Sequence, residues 1–254
     1  MTEKMNTFRT TARVVGIVYL VGMVVGVGGN ILILSILNAP DTLSAVSANI
    51  MLLAIGAVLW LIPAAGDAAH GILMFPVLRP HNERIAIGYL GFRIVNAVFI
   101  AVLALFILLQ IPLAREYLNA GSSDTSLQAL SAVFMQGQLY AYHFAMSAVG
   151  VASLMLCYTL YRVTLVPRVV AAWGLVGYAI LLCGSVLEVL GFNLLLIHTL
   201  PGGLWELFMG VWLIAKGFNP SAFASESATS DDGGGTGVRQ PTAASQQGAE
   251  NSRR

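Results

Sequence analysis

Charge is what this chain has least of. Only 10% of its 254 residues are Asp, Glu, Lys or Arg, against 57% hydrophobic residues and a mean hydropathy of +0.79. That excludes a soluble domain, because no compact shape hides so much apolar surface from water. A net charge of +1 leaves no basic face for a phosphate backbone, which excludes nucleic acid as a partner. Cysteine is scarce too: Cys157 and Cys183 both fall inside apolar runs. There a thiol reads as a small packing group, not as half of a disulfide or a metal ligand. Long polar stretches are missing until about residue 219, so no room remains for a separate soluble catalytic domain.

Six apolar runs fill the rest, at about residues 14–37, 50–78, 85–113, 134–161, 169–197 and 200–215. About 20 apolar residues in a helix cross a bilayer core, so five runs are long enough and the sixth is short. The first run follows Lys4, Arg9 and Arg13 as a secretory signal would, but it exceeds the usual 7–15-residue signal core and reads as a retained span. The expected fold is therefore all-α, a bundle of six transmembrane helices over 14–218. A cytoplasmic segment at 1–13 precedes it. A disordered cytoplasmic tail at 219–254, rich in Ser, Gly, Ala, Gln and Thr, follows. The lipid bilayer is the implied partner.

The cations between the runs alternate sides. Lys4, Arg9, Arg13, Arg79, Arg84, Arg162, Arg168 and Lys216 share one side, and Arg115 alone occupies the other. Eight against one predicts both termini in the cytoplasm and a multi-pass protein of the inner membrane. An even number of spans agrees with the six runs. The short 79–84 connection makes runs two and three antiparallel neighbours, and 115–130 reads as the longest outer loop.

Function is harder to read. Gly26-Val27-Gly28-Gly29 sits in an apolar span with no strand before it, which excludes dinucleotide binding. Gly22 and Gly26 are instead a small-xxx-small pair for close helix packing. The ionisable residues inside the spans carry more information, because a charge at a helix centre costs about 2.5–3.5 kcal/mol and must pair or face the bundle interior. Counting about 1.5 Å per residue from the nearest flanking cation puts Asp67, Arg93 and Glu206 near one depth, on runs two, three and six. Arg93 with Asp67 is the natural ion pair, and Glu206 completes a triad. His70 lies one turn from Asp67 on the same face. Pro63 frees the carbonyl of Leu59 and Gly66 weakens the helix beside them, as in a broken helix or an ordinary kink.

A second polar group, His143, Glu188 and His198, lies toward the opposite end of the spans. Three N/O ligands suit a catalytic zinc, but the spacing matches no metal signature, so no metal and no cofactor is assigned.

Several pieces together resemble a known family. They are the opening Thr11-Ala12-Arg13-Val14-Val15-Gly16-Ile17-Val18-Tyr19-Leu20, Asp67 ahead of a Leu78-Arg79-Pro80 exit, Gly91-Phe92-Arg93, His143 and Pro167-Arg168. The ending Trp205-Glu206-Leu207 through Trp212-Leu213-Ile214-Ala215-Lys216-Gly217 completes the set. In order and spacing they resemble the prokaryotic integral membrane family catalogued as domain-of-unknown-function family 4386, from about Arg9 to Gly217. The 63–70 stretch and the span-four signature fit it less closely. The resemblance implies a six-helix membrane protein and transfers no activity.

Three readings follow. The first is a membrane protein of unassigned activity whose Asp67–His70–Arg93–Glu206 network orders the bundle. The second is a small proton-coupled transporter or permease, moving a small solute or ion with Asp67, His70 and Glu206 as titrating groups. The third is a membrane-embedded enzyme around His143 and Glu188, which no motif supports.

Overall fold

The computed structural model describes residues 2–219, with side chains from Thr7 onward. The expected tail at 219–254 lies, beyond Asn219, outside the described residues. The described part is entirely helical: α1 (Thr2–Leu37), α2 (Thr42–Ala48), α3 (Ile50–Leu78), α4 (Glu83–Asn119), α5 (Thr125–Arg162), α6 (Arg168–Val189) and α7 (Leu200–Ala215). Five of these, α1 and α3 to α6, are long and apolar enough to cross a membrane. At 16 residues, or about 24 Å, α7 falls short of the roughly 30 Å hydrocarbon core, as the sequence indicated.

Each long helix packs chiefly on the next in chain order, and α7 closes back on α1, so six helices form a ring. The short α2 crosses one end of it, capped by Asp41, whose Oδ1 accepts from the Ser44 amide at 3.2 Å. A ring of six helices leaves a central space that backbones cannot fill, so side chains must meet there. The outer faces are apolar, with Val24, Ile31, Met51, Ile72, Val133 and Val169 all more than 60% exposed, which fits a surface covered by lipid.

Glycine sets the closest helix contacts. A Cβ added to Gly16 on α1 would lie 2.6 Å from the Gly210 carbonyl oxygen of α7. One added to Gly56 on α3 would lie 2.8 Å from Ile33 on α1, and one on Gly174 of α6 would lie 2.8 Å from the Trp205 ring of α7. Gly22 and Gly26 do face another helix, meeting Pro63 at 3.8 Å, but these are looser contacts.

Three local expectations are corrected. The 115–130 stretch is not a long loop: α4 continues to Asn119 and α5 starts at Thr125, with Asp124 accepting from the Ser126 amide at 2.8 Å as its N-cap. The apolar run 169–197 is not one helix, since α6 stops at Val189 and the chain reaches α7 through a 3₁₀ turn at Ile197–Thr199. Gly191 with φ of 94°, and Leu195 and Leu196 with φ of 51° and 60°, mark where the chain leaves helical geometry. Finally, of the broken helix and the kink left open at Pro63, the broken helix is absent: α3 runs on through Pro63. The two thiols are free, Cys157 buried and Cys183 exposed.

Candidate functional site

The central space is organised by one side chain. Arg93 on α4 is 1% exposed and reaches three other helices. Its Nη1 donates to Asp67 Oδ1 on α3 at 2.5 Å, and its Nη2 lies 3.4 Å from both Tyr19 Oη on α1 and Ser153 Oγ on α5. Its Nε donates to Tyr89 Oη, one turn back on α4, at 3.1 Å. The guanidinium also lies 5.3 Å from the Tyr89 ring centre and 5.9 Å from that of Tyr19, within cation–π range. Gly71 on α3 makes room, because a Cβ there would meet Arg93 Cβ at 3.2 Å.

The neighbouring hydrogen bonds follow from this. Asp67 Oδ2 accepts from Asn96 Nδ2, so both carboxylate oxygens are held by α4. Tyr89 Oη, which accepts from Arg93, also shares a hydrogen bond with His70 Nδ1, 2.5 Å away. His70 Nε2 is buried with no partner. Tyr19 packs on the His70 ring at a centroid distance of 4.5 Å.

Glu206 on α7 departs from the expected triad. It makes no ion pair with Arg93; its Oε1 instead accepts from Tyr178 Oη of α6 at 2.8 Å. Glu206 and Asp67 nonetheless border the same space, a cavity of about 280 Å³ lined also by His70, Asn96, Tyr19, Trp60, Tyr142, Tyr178, Thr199 and Gly203. The Asp67 side chain is 25% exposed there while its partner Arg93 is sealed. On the far side of the Tyr19–His70 layer only about 10 Å³ remains, lined by Val15, Met74, Leu156, Leu160, Met209, Leu213 and Phe218. That end of the bundle is plugged by apolar side chains.

The cavity's mouth follows from helix separation. α1 and α7 touch at Gly16 and Gly210, but a Cβ added to Gly203, about two turns along α7, would meet nothing within 4 Å. The cavity lies between them here, lined by Gly22, Met23 and Gly26 of α1 and by Gly202 and Gly203 of α7.

The second group also gathers. His143 Nε2 of α5 lies 4.0 Å from Glu188 Oε2 of α6, and the His143 and His198 rings are 6.1 Å apart. Glu188 Oε1 accepts from the Leu194 amide at 2.7 Å, which ties the end of α6 to the connection that follows. Both ring nitrogens of His198, His143 Nδ1 and Ser185 Oγ are buried without a partner. Among the described residues no three His, Cys, Asp or Glu side chains gather closely enough to hold a metal ion. The group joins α5, α6 and the α6–α7 connection as a polar link.

Residues 14–217 match the family model described as a domain of unknown function, DUF4386. The chain belongs to that family. No curated protein and no solved structure matches it.

Sequence reasoning anticipated the Asp67–Arg93 pair and the meeting of His143 with Glu188, expected Glu206 on Arg93 where it binds Tyr178, and missed Tyr19, Tyr89, Asn96 and Ser153. A signal was present for two of them. The buried face of α4 runs Ala86, Tyr89, Arg93, Asn96, Ile100, Leu103, Ile107 and Gln110, spaced by three and four, so Tyr89 and Asn96 flank Arg93 on one stripe. Gln110 continues it, exchanging bonds with Ser131 of α5 at 2.8 and 3.1 Å.

Proposed function

We propose that this DUF4386 protein binds a small solute in its central cavity and works as a small transporter or permease, with the Arg93 network as the fixed floor of the site. The observation that carries this reading is the cavity of about 280 Å³, which leaves the Asp67 side chain 25% uncovered and places Glu206 on the same wall. A polar network needed only to order the bundle is best fully closed, since water competes for every hydrogen bond in it. Here closure is one-sided. Arg93 and His70 are sealed, while one carboxylate of the pair and a second carboxylate face open space. Asp67 and Glu206 are the carboxylates that would meet an occupant.

The arrangement of charge supports an orientation with both termini in the cytoplasm of the inner membrane, with α7 as a sixth, short span. Its missing length of about 6 Å is of a size that local bilayer thinning accommodates. In that orientation the plugged end, near Phe218, faces the cytoplasm and the Gly203 end of the cavity faces outward.

Thiol labelling tests the reading. Gly203→Cys, in a background where Cys157 and Cys183 are replaced by Ser, should react with an impermeant thiol reagent from the outer side. Absence of reaction from both sides would leave Asp67–Arg93 as a sealed clamp and remove the solute site.

A further inference from the structure

The charges facing the cavity are unevenly paired. Asp67 is ion-paired with Arg93, and His70 Nδ1 is hydrogen-bonded with Tyr89. Glu206 accepts from the Tyr178 hydroxyl at 2.8 Å and makes no ion pair among the described residues; the Arg93 guanidinium acts on it only at longer range. One carboxylate inside a membrane bundle therefore lacks an ion-pair partner of its own, a state that membrane interiors disfavour. The walls beside it are aromatic: Tyr19, Trp60, Tyr142 and Tyr178 line the same space. Trp60 and Tyr142 meet edge to face, at 85° and 6.3 Å. A carboxylate set among aromatic faces is the chemistry that recognises alkylammonium groups.

Resting on the reading of the cavity as a solute site, we infer that its occupant is a small organic monocation, an alkylamine or quaternary ammonium, with Glu206 as counter-ion. A bare metal cation does not fit the donor set. Hard cations take six or more oxygens, or an octahedral shell, and among the described residues no three His, Cys, Asp or Glu side chains could hold a metal ion. An anionic solute would meet an unmatched carboxylate. The volume, just under the roughly 300–1,000 Å³ of ordinary small-molecule sites, limits the occupant to a small molecule. Gly203, on the α7 wall of the cavity, imposes no side chain on an occupant.

The test compares choline with 3,3-dimethylbutan-1-ol, which has the same shape and no charge. Full-length protein in nanodiscs is titrated with each, following tryptophan fluorescence, to which Trp60 contributes, and thermal stability. Choline, or failing it tetramethylammonium or butylammonium, should bind saturably, and the alcohol at least tenfold more weakly. Glu206→Gln keeps the acceptor for Tyr178 and so preserves folding, and it should weaken cation binding at least tenfold while raising the alcohol's relative affinity. Equal binding of choline and the alcohol, an unchanged affinity in Glu206→Gln, or no saturable response to any of the three cations would overturn the inference. Labelling of Gly203→Cys separates the two levels. If the site labels but takes no cation, this assignment alone falls; if it does not label, the solute site falls with it.

Discussion

Replacing Arg93 by Met removes the only charge that neutralises Asp67 and, at a similar length, keeps most of the aliphatic packing. The carboxylate then keeps just one polar partner, Asn96, in a bundle core. Breaking a buried pair by removing one member costs about 3–5 kcal/mol, because the remaining ion is left in low dielectric. Asp67 is 25% exposed to the cavity, so water recovers part of its solvation and the lower figure applies. At roughly 2–4 °C per kcal/mol for a chain of this size, Arg93→Met should lower the melting temperature in detergent by about 6–12 °C. Asp67→Asn added to it removes the stranded charge and should recover at least half of the loss. The assay is thermal unfolding of the four members of this cycle, read as the coupling between the two positions. Coupling under about 0.5 kcal/mol, the level expected of independent sites, would refute the argument that Asp67 and Arg93 act as one unit. Arg93→Lys sharpens the point. Its single ammonium can follow Asp67 but cannot also reach Tyr19 and Ser153, so it should fall between wild type and Arg93→Met.

Three further outcomes are expected. Gly16→Ala places a methyl 2.6 Å from the Gly210 carbonyl, where backbone must move, and should destabilise by about 1–3 kcal/mol in thermal unfolding, whereas Gly203→Ala, with open space around it, should be near neutral. A cysteine at the exposed Ala48 of α2 should label with an impermeant thiol reagent from outside the cell and one at Ser225 should not; the reverse pattern would invert the topology read from the cations. Deleting residues 221–254 should leave membrane insertion and detergent stability nearly unchanged, and a large loss of either would show that the tail docks on the bundle.

Much of the architecture was legible because lipid imposes a simple rule: a spanning segment must be a long apolar helix. The Arg93–Asp67 pair was legible for the same reason, since an ionisable residue deep in a span must find a partner and the short 79–82 turn leaves α3 and α4 side by side. Hydropathy fails where an apolar segment is not a helix. Leu194 to Ile197 is as hydrophobic as any span, yet positive φ at Leu195 and Leu196 and the hydrogen bond from the Leu194 amide to the Glu188 carboxylate turn it into a connection. It fails again at 115–130, where Arg115, Glu116 and Asp124 suggested a loop but α4 and α5 extend past the apolar zone. Which tyrosine answers which arginine nitrogen depends on helix rotation. Tyr19 lies 74 residues from Arg93, and nothing local in either segment encodes that meeting.

Why the centre is built on arginine follows from the ring. Neighbouring helices meet through their own small residues, but α1, α4 and α5 do not all touch, and a two-residue contact cannot fix their mutual rotation. Arginine presents five N–H donors in a rigid plane at the end of a long stem, enough to address α1, α3 and α5 from α4 at once. Such a hub specifies one register for four helices, because rotating any one of them leaves a donor or the Asp67 carboxylate unmatched in the core. It leaves α6 and α7 out. α7 reaches the hub through Trp205, whose ring meets that of Tyr19 edge to face at 6.4 Å, and through Glu206, held to Tyr178 of its neighbour α6. Neither contact is a hydrogen bond to Arg93. The helix that carries Glu206 can therefore tilt without breaking any bond that Arg93 makes to α1, α3 and α5.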